Sequence, residues 1–336
     1  MGKDSDFYKN KKKQQKIQLR ILIDQLPECA SDYIYSKELT TQTSTLISYS
    51  YDLLTFFRFL TNKNPICKNM LPKNYSLDIL KQITSDDIIE YQRYLELNLD
   101  AKDYHENDKK AIARKMAPLR GMFLFHYQRK NITDNPMILA PLPRLKKDKN
   151  IIRLNNYEVQ AIFELIENGC DQMSDRQRTY LLKTKKRDMA IITLLLGTGI
   201  RVAECNGLDL ADVDLKVNSI TIVRKGGAQD LLYFGDDVHS ALEDYITSER
   251  QLIIPLESEK NALYYPLQGK RISVDAIENL VKKFAQMAVP NTKVTPHKLR
   301  STYGTALYRE TGDIRLVADV LGHENINTTI DYYAAI

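Results

Sequence analysis

The chain has 336 residues, 43% hydrophobic and 27% charged, a globular composition that excludes wholesale disorder and is long enough for two domains. No run approaches 18 consecutive apolar residues, and the basic start MGKDSDFYKNKKKQQK leads into no apolar stretch, so neither a membrane span nor a secretory signal is read. The net charge of +5 is unevenly divided, with 26 Lys and Arg against 18 Asp and Glu in residues 1–150 and 22 against 25 in the rest. A basic N-terminal part suits a polyanion, because each cation near a phosphate releases condensed counterions; a solubilising surface explains the charge equally well.

Residues 1–16 read as a mobile basic leader, and 17–134 as a helical domain. In 46–62, Leu46, Tyr49, Leu53, Phe56, Phe57 and Leu60 recur at three- and four-residue steps, forming one apolar stripe. The segment 85–98 opens with Ser85 as N-cap and two aspartates in the first turn. In 108–131, Ile112, Met116, Leu119, Met122, Phe123 and Phe125 form an apolar side, opposite Lys109, Lys110, Arg114, Lys115 and Arg120. Three prolines and the cations Lys146, Lys147 and Lys149 make 135–150 an extended linker. A second domain, 151–336, follows. It has an amphipathic helix at 155–169 closed by Gly169, a buried helix at 186–199, and a β-hairpin at 219–234 around Gly226-Gly227. Beyond 235 the patterns are helical. The fold class is therefore mainly α with a small β-sheet, in two domains.

Several chemistries have no motif here: there is no GxxxxGK[ST], no GxGxxG after a strand, no HExxH and no GxSxG. The five histidines show no metal-ligand spacing, and Cys29, Cys67, Cys170 and Cys205 form no CxxC pair. Unpaired cysteines fit a reducing cytoplasm. What remains is a set of cationic and titratable residues in four short segments. In LLGTGIRVAECNG, glycines end a helix, and Arg201 and Glu204 follow three residues apart on one face of the next. In TPHKLRSTYG, Pro296 starts a helix that sets His297 and Arg300 side by side, able to contact one phosphate or carboxylate. In VLGHENINTTIDYY, Gly322 ends a helix and His323 opens the next, where free amides are expected; Tyr332 and Tyr333 follow. Lys225 stands at the hairpin tip. Each segment alone reads as ordinary surface or core.

In this order and spacing they resemble the tyrosine recombinase family, the phage-integrase and Xer-type site-specific recombinases, weakly over the helical N-terminal part and strongly over 186–336. The family's TGxRxxE segment matches Arg201 and Glu204, and its hairpin lysine matches Lys225 before Gly226. Its HxLR box matches His297, Leu299 and Arg300, its LGH box Leu321, Gly322 and His323, and its nucleophile falls at Tyr332–Tyr333. The resemblance implies a helical core-binding domain and a mixed α/β catalytic domain that close as a C-shaped clamp on duplex DNA. It implies transesterification through a 3′-phosphotyrosine, without metal or nucleotide cofactor. Arg201 and Arg300 would clamp the phosphate, His297 accept the tyrosine proton, Lys225 protonate the leaving oxygen and His323 bond the phosphate. The cations of 109–120 and 146–149 would contact DNA phosphates, which position rather than specify. The ending is read as TxDxYxxx, which favours Tyr333 over Tyr332 as nucleophile. A homotetramer on paired DNA sites is expected. Only three residues follow Tyr333, fewer than the docking segment common in the family, so a monomer is expected without DNA. The competing readings are a type IB topoisomerase and a non-catalytic DNA-binding protein on the same scaffold.

Overall fold

A computed structural model describes residues 6–65, 67–98, 105–141, 153–171, 173–290, 292, 294–323, 325, 329, 330 and 333. The chain divides into two compact units, Lys9–Asp148 and Lys149–Ile336, the second taking in the first eight residues.

The first unit is helical: α1 (Asp6–Ile23, in this unit from residue 9 on), α2 (Glu28–Lys37), α3 (Thr43–Lys63), α4 (Leu77–Gln82), α5 (Ser85–Glu96) and α6 (Lys109–Gln128). Two-residue strands, β1 (Leu97–Asn98) and β2 (His105–Glu106), pair antiparallel between α5 and α6. The stripe read from 46–62 is the inner face of α3, and its Phe56 meets Phe57, Tyr91 and Phe123 edge-on at 5.1–6.4 Å between ring centres. Three sequence expectations need correction. Residues 6–16 are the first part of α1 rather than a mobile leader. Lys and Gln are good helix formers, and buried Leu19, Leu22 and Ile23 anchor the same helix downstream. The cap of α5 is Thr84, one residue earlier than read, and it exchanges hydrogen bonds with Asp87. The linker does not begin at 135: Met137 and Ala140 are buried in this unit's core, and the carbonyls of Pro136 and Pro141 accept from Ser85 and Gln92. The remainder, 142–150, lies outside the described residues.

The second unit contains α7 (Asn156–Asn168), α8 (Asp175–Leu182), α9 (Lys185–Thr198), α10 (Val202–Asn206), α11 (Asp236–Thr247), α12 (Val274–Ala288), α13 (Pro296–Thr311) and α14 (Ile314–Leu321). Its sheet runs β3 (Val213–Asp214), β4 (Ser219–Val223), β5 (Gln229–Tyr233), all antiparallel, with Ile220 opposite Leu232 and Ile222 opposite Asp230. Helix α9 packs against α7, α11 and α13 and is buried nearly all round, which explains its continuous apolar run. Residues 248–273 hold no α-helix, only the short 3-10 helices Glu249–Leu252 and Glu257–Glu259. Pro255, Pro266 and Gly269 break the pattern, and Ala262–Tyr265 are buried in the core, with Ala262 bridging Asp209. The fold is thus mainly helical with one three-stranded sheet. Among the described residues no helix is long and apolar enough to cross a membrane.

The ring cluster on Phe56 carries the first unit's core. Phe56→Ala should cost about 3–5 kcal/mol in a denaturant titration followed by circular dichroism; a loss below about 1 kcal/mol would show that the cluster is peripheral.

Candidate active site

The site grows from the ends of four elements of the second unit. Arg201 caps α10, and Glu204, 4% exposed, accepts from its backbone N–H at 2.7 Å and its Nη1 at 2.9 Å. A carboxylate three residues into a helix takes an otherwise orphaned amide and complements the helix dipole. Arg201 Nη2 also donates to the Gly322 carbonyl at 2.9 Å. One turn into α13, Arg300 is 3% exposed; Nη1 donates to the Gly199 carbonyl at 2.6 Å and Nη2 to the Leu321 carbonyl. His297, on the same helix, lies in a cleft wall, its ring partly covered and partly open to solvent.

Arg224 closes the set. It is the residue before Lys225, and the sequence reading passed over it. Its Nη2 donates to the Val320 carbonyl at 2.6 Å. Three successive carbonyls at the end of α14 therefore each accept from a different arginine: Val320 from Arg224, Leu321 from Arg300, Gly322 from Arg201. Helix C-termini leave such carbonyls without partners and carry partial negative charge, so cations gather there. The signal for Arg224 was present in the strand alternation, which puts residue 224 on the buried side with Ile220 and Ile222.

The chain leaves α14 through Gly322 in the left-handed region (φ 59°), and the His323 N–H returns to the Ala318 carbonyl at 2.9 Å. A Cβ on Gly322 would lie 2.9 Å from the Arg224 guanidinium, so only glycine allows this stacking. His323 thus follows a helix end rich in carbonyls; the amides expected just after it, at 324 and 326–328, lie outside the described residues. Its Nδ1 pairs with the hydroxyl of buried Thr329 at 2.7 Å. One cleft of about 580 Å³ is lined by Arg201, Arg224, Lys225, Gly322 and His323, and another of about 580 Å³ by Arg201, His297 and Arg300.

Charge in this cluster is unbalanced. Among the described residues three guanidiniums, Arg201, Arg224 and Arg300, gather around one buried carboxylate, Glu204, while Asp230, Asp319 and Glu278, with Lys225 and Lys282, border them from more exposed positions. Burial, then Arg300, Arg201, His297 and Arg224, push the His323 ring down to about 4. Burial, then Arg300 and Arg201, also lower His297. Burial and neighbouring Arg201 bring Arg300 down to about 10, still charged at neutral pH. Both imidazoles are thus neutral at pH 7, beside a surplus of guanidinium.

The remaining sequence candidates divide. Tyr333 is 3% exposed, packed with Val317 and Leu321, its hydroxyl so close over α13 that a Cβ at Gly304 would sit 2.8 Å from it. Tyr332 lies outside the described residues, as do Lys146, Lys147 and Lys149. In the first unit, Lys109, Lys110, Arg114 and Arg120 are exposed on α6. Arg114 and Lys115 bond the buried carboxylate of Asp52 at 2.8 and 3.7 Å, so part of that basic stripe neutralises the unit's own core.

A short helix-capping arginine, a hairpin lysine, an arginine–histidine helix and a glycine–histidine turn around one anion-seeking centre define a class: enzymes that break and rejoin DNA through a tyrosine. Residues 152–336 match the model of the phage integrase family. The chain belongs to that family, the tyrosine recombinases. It is 30% identical over 300 residues to the tyrosine recombinase XerC of Caldanaerobacter subterraneus subsp. tengcongensis, covering 86% of this chain and 77% of that one. Its fold is similar to that of the XerH site-specific recombinase bound to difH substrate (TM-score 0.62, 21% identity, 86% of this chain and 77% of that one). It is likewise similar to a lambda integrase dimer bound to a COC′ core site (TM-score 0.62, 15% identity, 90% and 75%). These relatives favour neither the topoisomerase nor the non-catalytic reading.

The neutral His323 gives a pH signature. Unfolded, it titrates near its ordinary 6.5; folded, at about 4. Between those values the unfolded chain takes a proton that the folded chain refuses, so stability contributed here falls as pH drops from 6.5 towards 4. His323→Gln should flatten that part of a melting-temperature profile. In NMR the His323 ring should titrate well below a free histidine and move upward in Arg201→Gln; an ordinary titration would contradict the crowding of cations around it.

Proposed function

We propose that the chain is a site-specific recombinase that cleaves and rejoins duplex DNA by transesterification through a 3′-phosphotyrosine. The observation that carries the reading is the unbalanced buried charge: three guanidiniums fixed by backbone carbonyls around one buried carboxylate, with the histidines held neutral. A scissile phosphate supplies the missing negative charge. A guanidinium has five N–H donors, so carbonyls that fix its plane leave it able to bond the phosphate as well.

In this reading the tyrosine oxygen attacks phosphorus, a P–O bond to tyrosine forms and the P–O5′ bond breaks. The tyrosine proton passes to neutral His297, and Lys225 gives a proton to the leaving 5′ oxygen. Arg201 and Arg300 bond the non-bridging oxygens, where charge grows in the pentavalent transition state, and His323 hydrogen-bonds the same phosphate. The phosphotyrosine link retains the ester's energy, so a 5′-hydroxyl can reverse the step without nucleotide hydrolysis. Exposed α6 cations add phosphate contacts. Unpaired Cys29, Cys67, Cys170 and Cys205 suit a reducing cytoplasm.

The preference for Tyr333 is reversed here. Adjacent side chains project in different directions, so in this reading one of the pair packs and the other attacks. Tyr333 is the one committed to packing. Tyr332, nine residues after His323, has the spacing common in the Xer group, and we assign it the attack.

A library of nicked suicide duplexes with random half-sites, captured as SDS-resistant adducts, identifies the cleaved sequence. On that duplex Tyr332→Phe should abolish the adduct and Tyr333→Phe should retain it; survival in both removes the tyrosine mechanism. Arg201→Ala and Arg300→Ala should keep most DNA binding and lose adduct formation by about 10²–10³-fold or more. Arg300→Lys should rescue little, because a point charge cannot supply paired donors.

Assembly is proposed as a homotetramer on paired sites and a monomer without DNA. Light scattering of the free protein should give the monomer mass, and a stable DNA-free tetramer would refute this.

A further inference from the structure

Arg224 has no role in the chemistry above, yet it is only 8% exposed and every nitrogen of its guanidinium is bonded in a different direction. Nε donates to Asp230 on β5 at 2.7 Å, Nη1 to Glu204 on α10 at 3.3 Å, and Nη2 to the Val320 carbonyl at the end of α14 at 2.6 Å. Its backbone closes the hairpin turn: the N–H donates to the Ala228 carbonyl at 2.8 Å, and the carbonyl accepts from Gly227 at 3.0 Å. Between these bonds lie Lys225, Gly226 and Gly227, the glycines at φ 98° and 95°. A tip with two glycines has little intrinsic stiffness, so its direction depends on what anchors its base. That anchor is Arg224. The next residue, Lys225, is exposed and lines the same cleft as Arg201 and His323.

We propose that Arg224 is a positioning residue for Lys225. By tying the hairpin base to Glu204 and to the α14 end, it delivers the ammonium to the phosphate held by Arg201 and faced by His323. The inference rests on Lys225 being the proton donor to the leaving 5′ oxygen. A planar guanidinium reaches three partners from three separate nitrogens, a spread that the three donors of one ammonium nitrogen do not reproduce. A direct contact of Arg224 with DNA is not part of the proposal.

The test separates proton delivery from general damage. In the captured suicide duplex, the leaving 5′ oxygen is replaced by sulfur. A thiolate leaves without being protonated, so any defect confined to proton delivery disappears on this substrate. Lys225→Ala and Arg224→Ala should each slow adduct formation about 10²-fold or more on the oxygen duplex and return to within about 10-fold of the parent on the sulfur duplex. Arg224→Lys should behave like Arg224→Ala. Should Arg224→Ala not fold by circular dichroism, Asp230→Asn removes one tether and should show a smaller loss with the same sulfur rescue. Equal loss on both duplexes in the Arg224 and Asp230 variants, with Lys225→Ala still rescued, overturns the positioning role and leaves the Lys225 assignment standing. Failure of sulfur to rescue Lys225→Ala overturns that assignment, and the positioning role with it. Full activity of Arg224→Ala on the oxygen duplex also overturns the proposal.

Discussion

The end of α14 is the constraint on which the site depends. Three consecutive carbonyls, of Val320, Leu321 and Gly322, project from a helix terminus where no intrahelical donor remains. Each is taken by an arginine from a different element: the hairpin, α13 and the cap of α10. Guanidiniums repel one another, and nothing in the sequence order brings these three together. The carbonyl dipoles and the single buried carboxylate of Glu204 make their proximity tolerable. Because the α14 end is one rigid object, the three planes are set relative to one another, a form of preorganisation that transition-state stabilisation requires.

The same crowding determines the histidines. An imidazole beside guanidiniums loses its proton early, so His297 and His323 stand neutral at physiological pH. Neutral rings can accept a proton or share a hydrogen bond with a phosphate. The hydroxyl of Thr329 fixes the orientation of His323, as a supporting partner commonly does for a functional imidazole. Burial contributes the largest part of each shift, so the electrostatics and the packing of this corner cannot be changed independently.

The first unit obeys simpler rules. Its helices are amphipathic, its core is a cluster of aromatic rings, and its surface carries the surplus of cations. Even there, Asp52 on α3 draws Arg114 and Lys115 inward, so the number of basic residues on α6 overstates the charge offered to a polyanion.

How much of this was legible depended on whether information was local. Periodicity showed α3, α6, α7 and α9, because burial of one helix face is written at three- and four-residue steps. Pro296 and Gly322 marked a helix start and a helix end for the same local reason. The spacing of Arg201, Lys225, His297, Arg300 and His323 pointed to the family before any coordinates. Other features needed three dimensions. Lysine-rich residues 6–16 look mobile until the rest of α1 is seen to anchor them, and the ending that favours Tyr333 gives no sign that this ring packs over Gly304. Arg224 was not singled out by the sequence; only the fold brings residues 204, 230 and 320 around it. By itself the sequence determined which chemical groups are present and which helices and strands carry them, since those follow from neighbours along the chain. The tertiary structure alone decided which cations gather on one helix end and that Tyr333 packs, because contacts between residues as far apart as 199 and 300 arise only when separate helices bury their faces together.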